Sequence, residues 1–203
     1  MTFSRRSFLA LLTAAAVTGM TASVSFADGV NVGDVIDKFT KIRSMSGEFV
    51  QFDYKGNQSE GTFAILRPGM ARFDYRNKGG LNILADGKTV AVENRRLKTW
   101  DLYPLSRTPL NLLLGDRIDL TTGIIKYVVE KDGLIAVMLA DQKTFGNSTI
   151  EIFFDKNTSE LRQWTLLDEA RRETTVVVHN LKVNTPLPKH VFRIPYKDIR
   201  ERN

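Results

Sequence analysis

Cysteine is absent from this chain, and histidine occurs only twice. Without cysteine there is no disulfide, no thiolate nucleophile and no sulfur-built zinc site. His179 and His190 fit no metal-ligand spacing, and His179 alternates with Val178 as a strand side chain would. No Gly-x-Ser-x-Gly elbow, glycine-rich phosphate loop or His-Glu-x-x-His helix occurs. Glu48, Asp53, Asp74 and Asp101 fall on strand-like stretches, where alternating acids form the wet face of an antiparallel sheet. The residues therefore support no enzymatic reaction, and neither metal nor cofactor is expected.

Long apolar runs are missing too. Phe8 to Thr18 is an apolar stretch of 11 residues, short of the about 20 that a membrane-spanning helix needs. Arg5 and Arg6 precede it, and the small residues Ser25 and Ala27 follow. That is the plan of an export signal over residues 1–27, cleaved after Ala27, and it predicts a periplasmic protein. Ser4 to Ala10 reads SRRSFLA, which resembles a twin-arginine signal, and both export routes stay open. Strong charge of one sign is also lacking, with 29 Lys and Arg against 23 Asp and Glu. Removing 1–27 takes away two arginines and no acid. The basic pairs Arg95–Arg96 and Arg171–Arg172 are isolated, with Glu93 and Glu173 beside them. No nucleic-acid partner is expected.

What remains, residues 28–203, reads as one domain. Val32, Val35, Ile36, Phe39 and Ile42 keep the spacing of an amphipathic helix, with Asn31 as its cap and Asp34 in the first turn. Short strand patterns follow at intervals of roughly ten residues, with Asp86–Gly87 and Asp132–Gly133 among the turns. No helix-length segment separates them, which excludes a parallel α/β sheet. The series breaks once, at YPLSRTPLNLLLGD (103–116), where Thr108 and Pro109 suit a helix start and Leu110, Leu112, Leu113 and Leu114 precede Gly115. Four leucines in five residues cover more than one helical face, so this short helix must meet a second apolar surface. Aromatic side chains crowd the strands: Phe49, Phe63, Phe73, Tyr75, Trp100, Phe154 and Trp164. Composition does not separate a filled core from a cavity closed by helices.

Arg67 stands out at a tight turn, Arg67-Pro68-Gly69, that needs no guanidinium. The segments MSGEFVQ (45–51), GTFAILRPGMARFDY (61–75), ILADGKTV (83–90), YPLSRTPLNLLL (103–114) and HVFRIP (190–195) together resemble the LolA-like outer-membrane lipoprotein carriers. The resemblance implies a mainly β fold with a few helices, an incomplete antiparallel β-barrel with a helical lid over an apolar cavity. It implies a monomeric periplasmic carrier of acylated lipoproteins. These come from an inner-membrane ATP-driven release complex and pass to an outer-membrane acceptor. By resemblance Arg67, followed by Pro68, is the latch that bonds backbone groups of the lid helix. Phe49, Phe63, Ile65, Phe73, Tyr75, Trp100, Phe154 and Trp164 are candidates to line the cavity, with Leu110, Leu112, Leu113 and Leu114 above it. One departure is that Met70 and Ala71 stand where carriers of the best-known type have a large aromatic. The competing expectation is a periplasmic lipid- or lipoprotein-sensing regulatory domain on the same half-barrel.

Overall fold

The computed structural model describes residues 32–76, 80–116 and 123–202. The export segment and Asn31 lie outside them. A helix, α1 (Val32–Lys41), leads into strands β1 (Ser44–Phe52), β2 (Gln58–Leu66), β3 (Met70–Tyr75), β4 (Leu81–Asp86), β5 (Thr89–Asn94) and β6 (Thr99–Pro104). A 3₁₀ turn (Leu105–Arg107) and the helix α2 (Leu110–Leu114) come next. Then follow β7 (Ile125–Lys131), β8 (Leu134–Ala140), a one-turn helix α3 (Gln142–Phe145), β9 (Thr149–Asp155), β10 (Leu161–Leu167) and β11 (Glu173–Val183). A second 3₁₀ turn (Lys189–Phe192) and helix α4 (Tyr196–Arg202) end the described chain.

The eleven strands of the described residues form one sheet, in the order β6-β5-β4-β3-β2-β1-β11-β10-β9-β8-β7. The two meanders join where β1 pairs antiparallel with β11. β6 and β7 are the free edges, so the barrel is open. They are also consecutive in sequence, so the segment between them must travel from one edge to the other. Its described part crosses the concave face, because Leu113 and Leu114 of α2 are fully buried in the main core. α1 lies on the same face through Val35, Ile36 and Phe39, whose ring meets that of Phe154 edge-on at 5.0 Å. The result is an antiparallel half-barrel with two helices over its hollow side.

Period-two alternation decides which side chains face that hollow. Phe49, Phe63, Ile65, Phe73, Tyr75, Phe154 and Trp164 all point inward and are buried. Gly61 makes room for two of the rings. It pairs with Phe49 on one side and Tyr75 on the other, and a Cβ there would come within 2.8 Å of Phe49 Cε1. Without it the two rings close to 5.0 Å.

Trp100 corrects the expected lining. Its partner across the ladder is Glu93, which shares a face with Ala91 and not with the inward Val90 and Val92. The pleat therefore turns the indole outward. There it joins Leu84, Ala91, Ile194 and Ile199, a small second core under α4. The sequence pattern missed α4, because seven mostly charged residues (YKDIRER) carry only one core side chain, Ile199.

Candidate lid latch and apolar cavity

The Arg67-Pro68-Gly69 turn joins β2 to β3 beneath both helices. The Arg67–Pro68 peptide is cis, and Gly69 has φ +78°, a left-handed conformation suited to glycine. Its N–H donates to Leu114 O at 2.9 Å, so the turn itself is bonded to the last residue of α2.

Arg67 is only 5 % exposed. Its Nε and Nη2 both donate to Leu113 O, at 3.3 and 3.0 Å. Its Nη1 donates to Phe39 O at 2.5 Å and to Ile42 O at 3.1 Å. The guanidinium also lies 4.1 Å from the centre of the Phe39 ring. One planar cation thus ties the end of α1 to the end of α2. These carbonyls lie at helix C-termini, where the macrodipole favours a cation, and Phe39 O accepts from the Ile42 N–H as well, at 3.2 Å. No carboxylate touches the guanidinium among the described residues. Burial, and then repulsion from Arg43, push its pKa down to about 10, with Asp116 opposing. Arg67 is therefore charged at neutral pH. Arg43 and Asp116 form their own ion pair at 2.6 Å across the same two segments, but at 65 % and 57 % exposure.

The sequence placed the partner of Arg67 in the short helix alone. The carbonyls of Phe39 and Ile42 were missed; the apolar end of α1 just before β1 was the available signal. The helix start differs as well. Thr108 does not cap α2 but donates its hydroxyl to Leu105 O at 2.9 Å, closing the preceding 3₁₀ turn, and Pro109 stands at the N-cap.

Under the lid is a cavity of ≈ 160 Å³, bordered by Phe73, Tyr75, Ile83, Leu110, Ile150, Trp164, Leu166 and Val176, with Gln51 and Thr174 as its polar members. Phe73, Tyr75 and Trp164 of the expected lining reach it. Phe49, Phe63, Ile65 and Phe154 pack in the surrounding core. Of the α2 leucines, Leu110 borders the space, Leu112 is half-buried, and Leu113 and Leu114 are fully sealed. The volume is below the about 300–1,000 Å³ of ordinary ligand pockets, so in this structure the hollow is nearly filled. Among the described residues no group of three or more His, Asp or Glu is placed to hold a metal.

The family described as "Outer membrane lipoprotein carrier protein LolA" matches residues 40–195, from the end of α1 to the approach to α4. The chain belongs to the LolA family. The match takes in Arg67, the whole sheet and α2. No curated protein matches the chain. A LolA superfamily protein from Nitrosomonas europaea is 10 % identical, with TM-score 0.46, over 82 % of this chain and 99 % of that one. A putative outer membrane lipoprotein-sorting protein domain from Vibrio parahaemolyticus is 8 % identical, with TM-score 0.44, over 82 % and 97 %. The MucA/MucB complex of Pseudomonas aeruginosa contains a chain 16 % identical, with TM-score 0.44, over 81 % of this chain and 60 % of that one.

Proposed function

We propose that the protein is a periplasmic carrier of acylated lipoproteins, exported by residues 1–27. It takes cargo from an inner-membrane ATP-driven release complex and gives it to an outer-membrane acceptor. It performs no catalysis. The observation that carries this reading is the Arg67 latch over a hollow too small for an acyl chain while closed.

The energetics suit a shuttle. Burying a chain of about 16 carbons is worth on the order of 12 kcal/mol, at about 0.8 kcal/mol per CH₂. Such a gain in a rigid open pocket would hold cargo too tightly to hand on. Entry must lift α1 and α2 off Arg67, and each charge-assisted hydrogen bond lost costs about 1.5–3 kcal/mol. Reclosing recovers that energy and offsets part of the acyl burial. Transfer to a better acceptor then needs no ATP of the carrier's own.

The test is Arg67→Leu in a spheroplast release assay followed by transfer to outer membranes. The wild type should release lipoproteins into a soluble complex and pass them on. Arg67→Leu should accept cargo and transfer it poorly, because reclosing no longer recovers those bonds. Normal transfer by Arg67→Leu would remove the latch from the mechanism. Failure of the wild type to release any lipoprotein would favour the sensing domain.

A further inference from the structure

We infer that Gln51 is a hydrogen-bond donor for the carbonyl of an ester- or amide-linked acyl chain, set at the mouth of the cavity. This rests on the carrier reading and specifies what part of the ligand the cavity recognises.

Gln51 lies on β1, two residues past the inward Phe49, and pairs with the inward Val176, so its side chain shares the concave face. Its Oε1 accepts from Tyr75 OH at 2.6 Å. Burial pushes the Tyr75 phenol up to about 12, so it stays protonated and remains a donor at every physiological pH. That bond fixes the amide: with Oε1 held by the phenol, the two N–H donors of Nε2 are left over. No described residue accepts from Nε2. It is not sealed either, because no buried side-chain nitrogen or oxygen among the described residues lacks a partner. An unpaired amide that borders a cavity and is not sealed presents its donors to whatever fills that space.

The position along the strands gives the ligand's direction. Gln51, Tyr75, Leu166 and Thr174 are each the last or second residue from one end of their strands. Phe73 and Ile83 border the same cavity one pleat step further in than Tyr75, and Val176 and Trp164 stand level with Gln51 in the ladder. The polar groups of Gln51, Tyr75 and Thr174 thus gather toward one end of the hollow, with Phe73 and Ile83 beyond them, the profile of an acyl chain with its carbonyl outward. A plain hydrocarbon would leave the Nε2 donors unpaired.

The test uses the full chain carrying Trp100→Phe, which leaves Trp164 at the cavity as the fluorescent reporter. Three probes with the same chain length are titrated: glycerol monopalmitate (ester), palmitoylethanolamide (amide) and glycerol monohexadecyl ether (no carbonyl). We expect one or both carbonyl probes to bind about three- to tenfold more tightly than the ether, the range of one neutral hydrogen bond. The probe favoured names the linkage. Gln51→Glu keeps the acceptor for Tyr75 but has no donor. The double variant Gln51→Met with Tyr75→Phe removes both polar groups at similar volume. Both should erase the preference, and the double variant should bind the ether as the parent does. Equal binding of all three probes by the parent, or a preference surviving in both variants, overturns this inference and leaves the carrier reading standing. Binding of none overturns both.

Discussion

Two arginines at the lid differ by one property, burial. Arg67 is sealed among carbonyls, and replacing it with leucine strands the oxygens of Ile42 and Leu113, each costing about 1–3 kcal/mol if it stays buried, and takes from Phe39 O one of its two donors. Arg43 is mostly exposed, and pairs of that kind contribute at most about 1 kcal/mol. Its charge also repels the Arg67 cation. Arg43→Ala should therefore leave urea stability within about 1 kcal/mol of the wild type and leave lipoprotein transfer intact. A loss as large as that of Arg67→Leu would show that the outer pair, and not the buried guanidinium, holds the lid.

The elements divide into a sheet that explains itself and short pieces that do not. All eleven strands were legible, because alternating side chains, aromatic content and Gly or Asn turns recur at nearly regular spacing. α1 was legible by its apolar stripe. Trp100 was misplaced because an aromatic on an edge strand fits either face, and only its partner Glu93 decides which. α4 was illegible, being about two turns of mostly charged residues held by a few contacts. One of those contacts is titratable. Tyr196 OH donates to Asp86 at 2.8 Å. Burial pushes the Asp86 carboxyl up, but the N–H of Thr89, the Tyr196 hydroxyl and the N–H of Lys88 together hold it below its usual value. A depressed carboxylate contributes stability above its unfolded pKa, about 3.9, and loses it as pH falls through the lower folded value. Asp86→Asn should thus unfold at lower temperature than the wild type at pH 6, and the gap should shrink as pH falls below about 3.9 and through the lower folded value. A gap that persists in acid would show that the charge of Asp86 does not anchor this corner.

The whole molecule is a continuous hydrogen-bonded sheet carrying a lid attached at few points. Each strand is locked to its neighbours from edge to edge, whereas α2 has five residues, far too few for a helix to be stable by itself. Opening should therefore be local, with the sheet as a fixed frame. One amide reports it directly. The Gly69 N–H belongs to the frame, but its acceptor, Leu114 O, belongs to the lid. Hydrogen exchange at Gly69 then measures the open population, while amides of β1 and β11 at the sheet centre measure global unfolding. In the free protein Gly69 should exchange faster than those central amides. Arg67→Leu should accelerate it further without changing them. Binding of an acylated ligand should do the same, since a chain that occupies the hollow keeps α2 off the turn. If ligand binding slows Gly69 or leaves it unchanged, the chain enters without lifting the lid, and the energetic link between closure and release fails.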